Sequence, residues 1–576
     1  MSKLRKFLRT SKILWPVRKC YAVCLGVIRF GVVYEFKWVK NKIKSRIAQK
    51  HFYKEIFLSD EERILQKEEK FAQPLCFSIL VPLYNTPENF LREMIESVQQ
   101  QTYGQWQLCL ADGSDKEHMY VREIVEEYQK NDTRISYQKL EKNGGISENT
   151  NACIDMAAGE YIVLFDHDDL LHEAALYEIR KRIDEEKADF IFTDEAIFSK
   201  DFRRPDSYHL KTDFAIDDLR SNNYICHITC FEKGLLDKIG GGFRKDFDGS
   251  QDFDLVLRLT EQAQHIVHIP KVLYFWRCHA ASVASDISAK TYCIDAGKKA
   301  IEAHLERQQV SARVCSSEVY PVIYRIFYIV KNNPLVSIII CGDNNKEEAE
   351  KCEGSIKENT EYSNYEILFC QDIKERNQVA KKATGEYLVF MDARCRCKKA
   401  DWLTELLGVA QREEIGIVGP KVLYKENVIR DAGLLVGVGE DGIAGNSFYQ
   451  MDGENFGYMG NLYYTHNVSA VTDTCMVIKK SLFETVGGFD ETLPEWYAGI
   501  DISFKVREEE KLVAVNPYAR LQFTKREKNR DYVGNYKELQ EYDEILSGKW
   551  KKYFEQPDPY YNVHLTHLSS DYSMGK

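Results

Sequence analysis

The stretch Gly159–Leu171 reads GEYIVLFDHDDLL. Tyr161 to Phe165 is apolar, aromatic and β-branched without a break, which predicts a short buried strand. It runs directly into Asp166, His167, Asp168 and Asp169. Carboxylates crowded at a strand's end repel one another and resist burial unless a positive group sits among them. A divalent cation carrying a diphosphate meets that demand, because hard cations take oxygen ligands and substrate phosphates. The competing reading is a solvated acidic turn ahead of a helix, and an isolated Asp-x-Asp would favour it. The sequence on either side reverses that balance.

Upstream, Phe77–Val81 reads as a buried strand ending at Pro82, followed by the turn Tyr84-Asn85-Thr86-Pro87 and helical spacing to Gln100. Trp106–Ala111 is a second strand, ending in Asp112-Gly113-Ser114-Asp115. After another helix and strand, Asn143-Gly144-Gly145-Ile146-Ser147 opens a helix that reaches Ala158. Strands alternating with helices predict a mostly parallel sheet, and such sheets bind ligands beyond their carboxyl ends. Pro82–Asn85, Asp112–Asp115 and Asp166–Asp169 all fall there.

In this order, VPLYN (81–85), ADGSD (111–115), NGGISENTN (143–151) and GEYIVLFDHDD (159–169) resemble inverting family 2 glycosyltransferases. The resemblance continues through IGGGFRKDFDGSQDFDLVLRLTE (239–261) and IPKVLYFWRCHAAS (269–282). It implies a GT-A fold, a Rossmann-like α/β domain that binds a nucleotide sugar. It also implies that Pro82, Tyr84, Asn85 and Asp112 contact the nucleotide, with Gly113, Asn143 and Asn151 beside them. Asp166 and Asp168 would hold ribose, metal and diphosphate, and Asp252 would be the base.

The chemistry asks for the same parts. A sugar hydroxyl attacking an anomeric carbon needs a carboxylate to take its proton. The leaving nucleoside diphosphate needs its charge neutralised, which Mg²⁺ or Mn²⁺ supplies. His279 is expected as a third metal ligand, since neutral imidazole suits such a shell; the alternative is a loop histidine bonded to backbone. Asp254 is the reserve candidate for the base. Asp194 and Glu195 follow a strand and either face the acceptor or lie in a solvated turn.

The second half repeats the first. PLVSIIICGDN from Pro334 echoes CFSILVPLYN, and ATGEYLVFMDARC (383–395) echoes the opening stretch. VGGFDETLPEWYAGIDISFKVRE (486–508) echoes the segment around Asp252 and is read as bringing Asp501 near the base position. The copy has lost parts. Ala393 and Arg394 stand where a cation site wants a carboxylate, and an arginine there repels a metal. LQFTKRE (521–527) holds no counterpart of His279. Ser78 to Gly159 spans 81 residues, whereas Ser337 to Gly385 spans 48. A degenerate second domain is expected; metal-independent transfer with Arg394 as the cation is the alternative.

Composition bounds the rest. The chain has 576 residues, 44% of them hydrophobic, which suits more than one domain with sizeable cores. Its sixteen cysteines lack paired CxxC spacing and read as free, mostly buried thiols. Residues 1–50 hold 14 Lys or Arg against Glu35, a net of +13, so a total of −11 leaves −24 for the remainder. That acidity argues against nucleic acid, while the basic, apolar-studded arm suits an anionic membrane surface. The run Cys20–Tyr34 is short for a bilayer span, so an interfacial amphipathic segment is expected; the alternative is docking on the acidic body.

The resulting expectation is an α/β chain with two tandem GT-A-like domains of mostly parallel sheet. Residues 1–73 form the basic arm and connector, 74–314 the catalytic domain, 315–333 a linker and 334–545 the degenerate copy. A tail, 546–576, packs across the second domain. The expected activity is inverting transfer of one sugar from a UDP-sugar or dTDP-rhamnose to a lipid-linked cell-surface glycan. It would take place in the cytoplasm, at the inner face of the membrane. A bifunctional enzyme and a non-catalytic glycan-binding scaffold are the alternatives.

Overall fold

Strand β1 (Phe77–Leu83) is buried at all seven positions, as expected of a strand covered on both faces. It pairs in parallel with β2 (Trp106–Asp112) on one side and β4 (Tyr161–Leu164) on the other, and β3 (Ile135–Lys139) extends the sheet beyond β2. Past β4 the sheet becomes mixed. It takes in β5 (Leu170–Leu171), β6 (Phe190–Phe198), β7 (Ser207–His209), β8 (Thr229–Glu232) and β9 (Ile266–Arg277), in the order β3-β2-β1-β4-β8-β6-β9-β5, with β7 on β6. The computed structural model describes residues 43, 45, 47–49, 51–279, 291–342, 345–439, 442–524 and 540–575. The membrane-facing arm read in the sequence therefore lies almost wholly outside the described residues.

Strands β10 (Ala312–Ser316) and β11 (Tyr324–Tyr328) form an antiparallel hairpin after the first sheet. The second sheet then repeats the first with β12 (Val336–Cys341), β13 (Tyr365–Cys370), β14 (Tyr387–Asp392), β15 (Cys395–Cys397) and β16 (Ile415–Tyr424). Beside them lie β17 (Val428–Asp431), a small β18–β19 hairpin (Leu434–Val436, Ala444–Asn446), β20 (His466–Asn467), β21 (Cys475–Lys479) and β22 (Leu512–Phe523). The order is β13-β12-β14-β21-β16-β22-β15, the first sheet's order without a counterpart of β3. The result is a mixed α/β chain with two sheets, each mostly parallel at its nucleotide-type end.

A shared clamp fixes the correspondence between the copies. The Ser78 hydroxyl donates to Gln107 at 3.1 Å and accepts the Gly159 N–H at 2.9 Å. The Ser337 hydroxyl donates to Glu366 at 2.6 Å and accepts the Gly385 N–H at 2.8 Å. Between β2 and β4 the first copy has the helix Tyr120–Gln129, β3 and the helix Ile146–Met156. Between β13 and β14 the second has only the helix Ile373–Lys382. The shortening seen in the sequence is thus the loss of one helix and one strand.

The halves share a buried polar seam. Arg412 donates to both oxygens of Asp217, at 2.5 and 2.8 Å, and the Asn467 amide donates to the same carboxylate at 2.9 Å. Burying one of these charges without its partner would cost several kcal/mol, about 3–5 by order of magnitude. The C-terminal tail reaches both halves of the chain, not the second alone. Asn562 donates to Asp194 of β6 at 2.9 Å, and Asp558 accepts the Val436 N–H of β18 at 2.7 Å. The tail keeps such bonds to its end, where the Gly575 N–H donates to the His564 carbonyl at 2.8 Å. All fourteen described cysteines are free and ten of them are buried.

Candidate active site

The carboxyl ends of β1, β2 and β4 place three loops side by side, and short polar bonds lock them together. The Asn85 N–H donates to Ser114 Oγ at 2.8 Å, and its amide bonds both ways with Asp115, at 2.9 and 3.1 Å. Asn143 accepts the Gly145 N–H at 3.0 Å and the Asn149 amide at 2.9 Å, shaping the turn that opens the next helix. Gly113 sits where these loops meet; a Cβ there would lie 2.8 Å from Asn149 Nδ2. Thr86 Oγ1 lies 2.9 Å from His167 Nδ1, tying the first loop to the acidic stretch.

Asp112 has both carboxylate oxygens occupied. Oδ1 accepts the Ser114 N–H at 2.7 Å, while Oδ2 accepts the Tyr137 hydroxyl at 2.7 Å and lies 3.2 Å from Lys139 Nζ. Pro82 is buried at the end of β1, and Tyr84 beyond it is 47% exposed, free to offer its ring to a ligand. Asn151 does not join this group. Its amide is spent on the backbone of Phe243, donating and accepting at 2.8 Å. Asn377 makes the same two-way bond to Phe489 in the second copy, at 3.0 Å each way. Asn151 is therefore a brace common to both copies.

In the acidic stretch the side chains diverge. Asp168 Oδ2 meets His279 Nε2 at 2.8 Å, joining two of the three residues assigned to a metal. Asp166 Oδ2 instead faces His227 Nε2 at 3.4 Å. Asp169 is buried, accepting the Tyr274 hydroxyl and the Arg277 N–H at 2.6 Å each. Burial, with the Asp168 and Asp166 charges beside it, pushes the Asp169 carboxyl well above the usual range. Ligand atoms of Asp166, Asp169 and His227 lie within 4.8 Å of one another. Asp166, Asp168 and His279 do not form one such group among the described residues, although carboxylate oxygens and a neutral imidazole nitrogen are the donor types that suit Mg²⁺ or Mn²⁺.

His227 had no signal in the sequence. It arrives because β8 runs antiparallel to β4, pairing Thr229 with Leu164, so the residues before β8 reach the edge that β4 leaves. Its ring stacks on Tyr274 with centroids 4.5 Å apart and bonds Glu195 at 3.2 Å. Burial opposes a charge on this imidazole, yet Asp166 and Glu195 raise its pKa well above the ordinary value. Glu195 and Asp194 are neither in a solvated turn nor facing an acceptor. Both are fully buried in β6, Glu195 against Lys211 and His209, Asp194 against His268 and Asn562.

Asp252 sits in the first turn of the helix Gln251–Thr260, half-buried, with Asn223 Nδ2 donating to it at 2.8 Å. Burial raises its pKa, the Asp166 charge adds to that, and His227 opposes it. Asp252, Asp166 and His227 thus share one electrostatic neighbourhood, and a carboxyl of raised pKa is suited to proton transfer. The reserve candidate Asp254 is fully buried and bonded to Arg244 and Arg258, so it is structural.

The sequence model for Glycosyl transferase family 2 matches residues 78–239 and 373–487, so it meets both copies. The chain belongs to glycosyl transferase family 2. It is 35% identical to the uncharacterized protein y4gI of Sinorhizobium fredii, over 75% of this chain and 51% of that one. It is 29% identical to the O-antigen biosynthesis protein RfbC of Myxococcus xanthus, over 86% of this chain and 40% of that one. The chain therefore spans about half the length, or less, of these curated relatives. A crystal structure of S. aureus TarS 1-349 in complex with UDP-GlcNAc matches with a TM-score of 0.34 and 18% identity, over 40% of this chain and 66% of that one. A likeness that low carries no functional argument.

Within this family 2 chain the second copy holds a different set of groups. Arg394 lies on Asp392 in a two-pronged ion pair, at 2.9 and 2.6 Å, filling the place of a cation. Aligning QDFDLVLRLTE (251–261) with AGIDISFKVRE (498–508) puts Asp501 opposite Asp254, not opposite Asp252. The geometry agrees, since Asp254 pairs with Arg258 at 3.0 Å and Asp501 with Lys505 at 3.2 Å, each one turn on. Trp550 and Lys549 close over Asp501 from the C-terminal helix. The position of Asp252 is taken by Gly499, where a Cβ would collide with the Val471 carbonyl. The expectation that Asp501 stands near the base position is therefore corrected. Among the described residues no helix is long and apolar enough to cross a membrane.

Proposed function

We propose that the first copy transfers a single sugar from a nucleotide-diphosphate donor to a hydroxyl of a cell-surface polysaccharide, with inversion. The observation that carries this reading is that Asp166 and Asp252 share one charged neighbourhood, with His227 lying 3.4 Å from Asp166, where β4 ends. The loops 82–85 and 112–115 receive the nucleoside. Asp166, Asp168 and His279 would hold Mg²⁺ or Mn²⁺, with Asp169 and His227 beside Asp166. The metal, when bound, neutralises charge on the departing diphosphate. Asp252, oriented by Asn223, takes the proton of the attacking hydroxyl.

The donor is a UDP-sugar or dTDP-rhamnose and the acceptor a lipid-linked glycan, which the basic arm approaches by lying on an anionic membrane face. Transfer by the second copy is disfavoured, because Arg394 occupies its cation position and Gly499 its base position. The test is a panel of UDP-hexoses and dTDP-rhamnose offered to the full chain, with donor hydrolysis followed with and without EDTA. Hydrolysis of one donor, lost on chelation and in Asp168→Asn, is the expected result. Activity that survives Asp168→Asn and Asp252→Asn but fails in Asp392→Asn would overturn the assignment to the first copy.

A further inference from the structure

The clamp serines align β12–β13 with β1–β2 residue for residue, so Phe369 corresponds to Leu110 and Gln371 to Asp112. Leu110 is fully buried, packed in one cluster with Val121, Ile124 and Val125 of the helix Tyr120–Gln129. The second copy lacks that helix, and Phe369 is left 47% exposed. It faces a crevice of about 490 Å³ at the carboxyl ends of β12 and β13, lined also by Ala349, Glu350, Glu353, Gln371 and Glu375. The chain leaves β12 towards β13 and returns to β14 on the other side, so the reversal point falls between β12 and β14 and the crevice lies beside it, at the same carboxyl edge of the sheet.

The chemistry of the walls selects the ligand. Among the described lining residues three glutamates stand beside Lys346, which lies 3.8 Å from Glu350, while Glu353 also pairs with Lys357 at 2.7 Å. Asp112 is replaced by Gln371, and the nearby Asp392 is neutralised by Arg394. A nucleoside diphosphate brings negative charge to a wall whose described residues are already rich in carboxylates, so it is repelled. A neutral saccharide fits: its C–H face covers the exposed ring, and its hydroxyls donate to carboxylate and amide oxygens on the rim. We propose that this crevice binds a neutral stretch of glycan, holding the polymer that the first copy extends. The second half of that statement rests on the transfer reading given above; the binding itself does not.

The test uses the full chain on an array of immobilised neutral hexose and N-acetylhexosamine oligomers, beside uronic-acid and phosphate-bearing ones. Retention on neutral oligomers is expected, falling at least tenfold in Phe369→Ala and persisting in Phe369→Trp, which keeps a ring. Phe369 is half exposed, so thermal unfolding of Phe369→Ala should match wild type. Donor hydrolysis by the first copy, measured in the same variant, should be unchanged. The proposal is overturned if no neutral oligomer is retained, if only anionic ones are, or if retention is lost in Asp252→Asn and indifferent to Phe369→Ala. Failure of donor hydrolysis with array binding intact would instead sink the transfer reading alone.

Discussion

The two copies share a serine clamp, an asparagine brace and a strand order, yet differ at each place where charge would have to be handled. Where Asp166 faces a histidine, its counterpart Asp392 meets an arginine, which itself stands in the place of Asp168. Where Asp252 stands half-buried beside Asn223, Gly499 leaves no room for a side chain. The buried acid two residues further on, Asp254 or Asp501, is kept in both with its basic partner. Residues that hold a fold together persist under different constraints from residues that do chemistry, and a repeat inside one chain sorts them without an alignment. Asn151 is an instance: its counterpart Asn377 repeats the same brace in a copy with no seat for a metal.

The largest effect should come from the position where the copies differ most sharply. Asp252→Asn is expected to lower turnover by about 10²–10⁴-fold, the usual worth of a general base, with donor binding retained. Burial raises the pKa of Asp252, so the wild-type rate should fall as pH drops through a value above the ordinary ~3.9 of aspartate. Stability moves the other way. The folded state takes this proton more readily than the unfolded one, so folding is favoured as pH falls through the raised pKa. A pH–rate profile in which the acid limb survives Asp252→Asn would assign that limb to another group.

A second test asks whether the degenerate copy is a separable passenger. Arg412 belongs to the second half and Asp217 to the first, and both side chains are almost fully buried. Arg412→Ala leaves Asp217 without its main counter-charge and should cost about 3–5 kcal/mol, read as a lowered urea midpoint. Activity of the first copy should fall with the same midpoint, since the seam binds the halves. Two transitions in wild type, with activity following only one, would show the copies folding independently.

Much of this architecture was legible from period and punctuation. The runs ILVPLYN, QLCLADG and YIVLFDHDD end in turn residues or acids, and all three are strands whose carboxyl ends meet. The loss of one helix and strand could be measured from two serine-to-glycine distances. What could not be read were partners brought by antiparallel strands. His227 lies in NYICHITC, an unremarkable strand approach, and reaches Asp166 only because β8 reverses direction. Glu195 could be read as facing an acceptor or as lying in a solvated turn because DE follows an apolar run, but β6 continues through it and buries it against Lys211. Asp501 misled because the helix repeat has two acidic candidates, and the residue-by-residue alignment, with the ion pair to Lys505, tells which one survived.

The smallest effect concerns the substitute cation itself. Burial alone would raise the pKa of Asp392, but the Arg394 guanidinium two residues on overrides it and holds the carboxyl below the ordinary value. A carboxylate depressed in the folded state contributes stability above its unfolded pKa and loses it as pH falls through the folded one. Arg394→Ala should therefore cost about 2 kcal/mol at pH 7, the worth of a charge-assisted bond. The deficit against wild type should shrink as acid protonates Asp392 in both. If Arg394 instead served a diphosphate in a working second site, its loss would abolish a transfer reaction while leaving the urea midpoint nearly unmoved. Comparing the midpoints of the two proteins at neutral and acid pH, beside their donor hydrolysis, separates a structural plug from a catalytic cation.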